Sequence, residues 1–235
     1  MTIGFLGRKL FALAAALPVV GGGTMAAAGY FDRDAVRYRA PPGIAHSDLV
    51  AVYFSGDMGV ALGTGRSTVE ALRARGLPVV TVNSPALFGI GRDRAFIDAL
   101  VADTIRQALA RSHAARVALI GVAFGAGILD TGLGAVPADL RGRIASVVLV
   151  APASSVYFEA NPGGLFHAGG PDSDPRRTVR LLAGLPVTCI FQRSDAQTLC
   201  SAAQLSGARR VDTPAGTAFP MAAADAVLHP PQPMR

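Results

Sequence analysis

Apolar positions along the chain follow two alternating patterns. Short continuous runs occupy residues 48–54 (DLVAVYF), 78–82 (PVVTV), 116–122 (RVALIGV), 144–150 (IASVVLV) and 186–191 (PVTCIF). Their length and β-branched content predict strands buried on both faces. Between them, apolar residues recur every three to four positions. Phe96, Ile97, Leu100, Val101, Ile105 and Leu109 mark a helix over 94–112, and Val69 and Leu72 mark one over 67–75 that Gly76 can stop. Helices are also expected over 124–131, 196–205 and 221–228, an edge strand around 36–39, and a last strand over 209–213. Residues 151–174, rich in Gly, Pro, Ser and Asn, read as a long loop above the sheet, and 230–235 as a disordered tail.

Buried strands separated by helices require a parallel sheet covered on both faces. Right-handed crossovers then bring the carboxyl ends of the strands, and any site built there, to one rim. The expected fold is a doubly wound, mostly parallel α/β sheet in a single domain, which 235 residues can fill. No internal repeat is visible.

The first segment is of another kind. Arg8 and Lys9 precede the apolar run from Leu10 to Val20, followed by three glycines and the small residues Ala26, Ala27 and Ala28. That order predicts a secretory signal peptide over 1–28, and the run is too short to cross a bilayer as a helix. The domain is therefore expected over 29–229, in the periplasm, with no transmembrane span after cleavage. The cut lowers the formal charge from +6 to +4, because Arg8 and Lys9 leave and no acidic residue precedes Asp32. It also removes the only lysine, and with it Schiff-base chemistry. No basic cluster interleaved with aromatics points to nucleic acid. The four histidines, His46, His113, His167 and His229, lack metal-ligand spacing, and no cofactor is implied. In an oxidising compartment Cys189 and Cys200 are expected to form a disulfide.

The informative chemistry lies where the strand ending at Val122 runs into a helix. Gly121-Val122-Ala123-Phe124-Gly125 has the glycine frame of a nucleophile elbow, G-x-S-x-G, with alanine at the serine position. Alanine has no lone pair with which to attack a carbonyl. The frame supplies an oxyanion-hole N–H at Phe124, and the loop Ser55-Gly56-Asp57-Met58-Gly59 can supply another at Asp57 or Met58. Asp195 stands where an acid should follow a late strand. The loop after the last strand, Pro214 to Phe219, contains no histidine, and His229 lies beyond the final helix. Ser55, Ser84 and Ser154 are the alternative hydroxyls; serines after strands more often serve turns and caps.

Together, Phe54-Ser55-Gly56-Asp57, the 71–80 segment ALRARGLPVV, the elbow followed by Ala126, and Leu185 to Ile190 with Thr198-Leu199-Cys200 resemble the VirJ/AcvB bacterial virulence proteins. The resemblance covers about residues 47–220. It implies a periplasmic α/β-hydrolase-like fold, an association with type IV secretion, and hydrolysis of aminoacylated phosphatidylglycerol. It aligns the family's serine with Ala123, its acid with Asp195, and its histidine with Thr217 or Ala218. The aromatic that follows the family's Ser-Gly-Asp-Gly-Gly loop is missing, since this chain reads Met58-Gly59-Val60. These departures fall on the chemistry while the scaffold pieces remain. Two functions stay open: a catalytically degenerate protein binding a type IV secretion component or an anionic phospholipid headgroup, and an esterase or aminoacyl-phospholipid hydrolase using a non-standard nucleophile.

Overall fold

The computed structural model describes residues 22–43, 47–161, 169–195, 198–214 and 216–234. The expected signal peptide over 1–28 thus falls mostly outside the described residues, which begin with a helix over 22–28 (α1). Among the described residues seven strands form one sheet: β1 (Val36–Arg39), β2 (Leu49–Phe54), β3 (Val79–Val82), β4 (Arg116–Val122), β5 (Ile144–Val150), β6 (Val187–Gln192) and β7 (Arg209–Thr213). Their order is β1-β3-β2-β4-β5-β6-β7. Only β1 runs antiparallel, on the edge beside β3; every other neighbouring pair is parallel.

Helices cover both faces, which explains the continuous apolar strands. Residues 50, 52 and 54 of β2 pack on one side with Ile97, Val101 and Ile105 of α4 (Arg94–Ser112) and Ile128 and Leu129 of α5 (Phe124–Gly132). Ala51 and Tyr53 face the other side, with Val69 and Leu72 of α2 (Gly65–Arg73) and Ala223 and Val227 of α8 (Phe219–Leu228). Local signals set the ends. Asp93 caps α4 by accepting the Phe96 N–H at 2.8 Å, and Gly76, at φ +80°, lets the chain turn out of α2. Three short helices have no strong periodicity: α3 (Ser84–Phe88), α6 (Ala138–Arg141) and α7 (Pro175–Thr178).

Two expectations are corrected. The described part of 196–205 is not an α-helix but two 3-10 turns, Leu199–Ser201 and Ala203–Leu205. The Thr198 hydroxyl accepts the Cys200 N–H at 3.3 Å and starts a tight turn there. The tail is not loose through residue 234. Met234 is buried in the core, and its backbone exchanges hydrogen bonds with Gly184 and Leu185 at 2.9 Å.

Strand β2 is the point from which the chain winds outward in both directions, to β3 and β1 on one side and to β4 through β7 on the other. In such sheets the crevice opens between the carboxyl ends of the two central strands. Here those are β2 and β4, with Phe54 in register with Gly121.

Candidate ligand-binding cleft at a serine-less elbow

Ala123 leaves β4 with φ +48° and ψ −113°, a conformation that side-chain-bearing residues seldom adopt. It is fixed on both sides. Its N–H donates to Val150 O at 2.9 Å, and its carbonyl accepts the Ala126 N–H at 3.0 Å. The flanking glycines are steric necessities. A Cβ on Gly121 would lie 2.6 Å from Ala126 Cα, and one on Gly125 would lie 2.4 Å from Phe54 O. The second glycine is what lets α5 begin against the end of β2. Phe124, the first residue of that helix, has an N–H with no intrahelical partner by construction, and its ring packs edge-on to Phe88 at 5.3 Å.

A cavity of about 400 Å³ opens over the elbow, lined by Asp57, Ala123, Phe124, Gly127, Ala151, Ala153, Ser155, Val156 and Tyr157. The structure thus brings together three of the residues picked out in the sequence: Ala123, Phe124 and Asp57. Met58 is half-buried in the same turn but does not line the cavity, which leaves Asp57 as the better-placed member of that loop. Gly127 is small for a reason, since a Cβ there would sit 2.6 Å from Val156 Cγ2 in the cavity wall. Beside the cavity, burial and then the charge of Asp57 push the Tyr30 hydroxyl up to about 12.

Asp195 is exposed, three residues beyond β6, with its N–H on Gln192 O at 2.9 Å. Thr217 is exposed and Ala218 half-buried in the 3-10 turn Gly216–Ala218 beyond β7. Both positions follow carboxyl ends of strands, so they share the rim of Ala123, but neither lines the cavity. His229 is at the opposite edge. Its carbonyl accepts from Arg209 at the start of β7, at 2.8 Å, and its ring lies 3.1 Å from Asp225. His113 caps the end of α4, three residues before β4 begins, and so faces that edge too. His46 and His167 lie outside the described residues.

Two of the three alternative hydroxyls are structural. Ser55 and Ser84 are wholly buried and bonded to one another: Ser55 Oγ accepts the Ser84 N–H at 2.9 Å, and Ser84 Oγ donates to Ser55 O at 2.6 Å. Ser154 is half-buried outside the cavity lining. The hydroxyl-bearing residues that do line the cavity, Ser155 and Tyr157, stand in the irregular loop after β5, where no periodicity or motif singles them out. Among the described residues no cluster of His, Cys, Asp or Glu could hold a metal ion.

The sequence matches the model of the bacterial virulence protein family VirJ over residues 48–229. The chain belongs to the VirJ family. No curated protein matches it in sequence. Solved structures give the fold: an α/β-hydrolase fold, as in a range of esterases. A carboxylesterase-like protein of Lactobacillus plantarum WCFS1 is 13% identical, with a TM-score of 0.57 over 82% of this chain and 91% of that one. LpqC, a poly(3-hydroxybutyrate) depolymerase from Bordetella parapertussis, is 15% identical, with a TM-score of 0.52 over 81% and 82%. Est1E from Butyrivibrio proteoclasticus, with ferulic acid bound, is 13% identical, with a TM-score of 0.53 over 82% and 93%. This VirJ-family chain therefore carries a hydrolase frame with alanine at the apex of the elbow.

Proposed function

We propose that this protein is an exported, catalytically degenerate member of the VirJ family that acts by binding, and that its cleft takes an anionic phospholipid headgroup. The observation that carries the reading is Ala123. The strained elbow, its two sterically required glycines and the cavity above it are kept, while the side chain that would attack is gone. The late loop adds to this, with Thr217 or Ala218 at the position that the family resemblance gives to the histidine. Loss of triad members leaves at most the weak catalysis of binding and oxyanion stabilisation. The N–H groups at the start of α5 still favour a negatively charged oxygen. The small residues Ala123, Gly127, Ala151 and Ala153 leave room for the group attached to it. A secretion-system component is the other occupant that membership of a virulence family brings into view.

Export is supported by the leader pattern and by a formed Cys189–Cys200 disulfide. No helix among the described residues is long and apolar enough to cross a membrane. The mature protein should resist labelling by a fluorophosphonate probe and should not turn over short-chain acyl esters or lysyl-phosphatidylglycerol. Turnover lost on Ser155→Ala would instead establish a hydrolase with a displaced nucleophile.

A further inference from the structure

We infer that the Cys189–Cys200 disulfide is a clamp on one wall of the Ala123 cleft, so that the oxidation state of the bridge sets how firmly that wall is held. Cys189 lies within β6, in register with Leu149 of β5, and Cys200 lies in the 3-10 turn Leu199–Ser201. Both are wholly buried, and their Cα atoms are 5.6 Å apart. From Cys200 the connection runs straight to the cleft. The Cys200 N–H is held by Thr198 Oγ1 at 3.3 Å. Thr198 forms an isolated antiparallel bridge with Ala153, and the Leu199 N–H donates to Pro152 O at 2.9 Å. Ala153 and Ala151, on either side of Pro152, both line the cavity.

Among the described residues, the backbone ties of this wall are few. Ala151 departs from β5 with φ +47°, tied to Ile190 O at 2.8 Å, and the chain then leaves the sheet. The next fixed point is Val156, which pairs with Ser173. Residues 152 and 153 therefore rest on a turn that carries no regular helix of its own, and that turn is fastened to β6 through the sulfur bridge. Local openings of this kind are governed by the few contacts that close them.

Reduction can proceed by ordinary thiol–disulfide exchange with an external dithiol. A thiolate attacks one sulfur, the other cysteine leaves as a thiolate and takes a proton, and the second reagent thiol closes to release a cyclic disulfide and the remaining cysteine thiol. Because both sulfurs are buried, attack requires a local opening first.

The affinity arm of the test rests on the binding role proposed above; the structural arm does not. Amide hydrogen exchange at residues 151–156 is read by mass spectrometry in the oxidised chain, in the Cys189→Ala/Cys200→Ala double variant, and in Leu199→Pro. The last keeps the disulfide and removes the N–H that reaches Pro152. Thr198, at φ −67° and ψ 136°, already has the backbone that must precede a proline. Exchange at 151–156 should rise about tenfold or more in both variants, with α4 and α5 still protected. Binding of dihexanoyl-phosphatidylglycerol should weaken about tenfold in the double variant. Unchanged exchange at 151–156 overturns the clamp. If the double variant does not fold, exchange at 151–156 in the unaltered chain before and after reduction by an external dithiol decides by the same criterion. If the oxidised chain binds no phosphatidylglycerol while exchange at 151–156 responds as stated, the clamp stands and the headgroup reading of the cleft fails.

Discussion

Ala123 holds a backbone conformation suited to glycine, and nothing in its own side chain repays the strain. Ala123→Gly is therefore expected to raise stability by about 1 kcal/mol, whereas Ala123→Val should lower it by roughly 2 kcal/mol, both read from urea unfolding. A destabilising Ala123→Gly would mean that the methyl group packs more tightly than the cavity geometry implies. Gly121 and Gly125 behave oppositely. A methyl group on either meets backbone at 2.6 Å or 2.4 Å, so each Gly→Ala change should cost roughly 3 kcal/mol or prevent folding. These three positions were legible in the sequence because a tight strand-to-helix turn restricts residue size in a fixed spacing. Ser155 and Tyr157 were not, because the loop after β5 follows no period and is placed by long-range ties such as the pairing of Val156 with Ser173. The mutual locking of Ser55 and Ser84 was equally hidden, since it joins residues 29 apart.

Helix α5 has a second costly feature one turn beyond Gly127. Asp130 is wholly buried, accepts a hydrogen bond from the Thr178 hydroxyl of α7, and leaves Oδ1 without a hydrogen-bond partner in the structure. Burial pushes its carboxyl up to about 7, against the Thr178 hydrogen bond and the charge of Arg94, which both pull it down. The folded state thus keeps a proton that the unfolded chain releases near pH 4. The stability this contributes is complete below about pH 4 and is lost as pH rises through about 7. At about 1.4 kcal/mol per pH unit the upper limit is roughly 4 kcal/mol. Asp130→Asn should flatten the dependence between pH 4 and 8, measured by urea unfolding across that range; parallel profiles for the two proteins would contradict it. At this scale the long elements were readable, because α4 and the buried strands repeat one pattern over many residues. Residues 196–205 have the apolar spacing of a helix, but over the described part the Thr198 cap and the link from Cys200 to β6 impose a tighter path. The packed tail was missed because Pro230 to Pro233 carry no periodicity, while Met234 finds its place only once Gly184 and Leu185 are folded beside it.

For the whole molecule, the order of strands puts the Asp57 loop and the elbow side by side between β2 and β4, and puts Asp195 and Thr217 on the same rim two and three strands away. The parallel sheet with one shared rim was implied by alternating strands and helices, but the strand order and the cavity's walls were not, since the walls come from irregular chain. On the proposed account the elbow is still shaped for catalysis and lacks its reagents. Ala123→Ser alone should restore no esterase turnover, while Ala123→Ser with Thr217→His or Ala218→His should give measurable turnover if the late loop reaches the elbow. The central claim, a cleft that binds without hydrolysing, is tested most directly by incubating the oxidised mature protein with dihexanoyl lysyl-phosphatidylglycerol and weighing the protein-bound and free fractions by mass spectrometry. The account predicts ligand retained by the protein and recovered intact. Released lysine or a cleaved acyl chain beyond the buffer control, or no retained ligand at all, would contradict it.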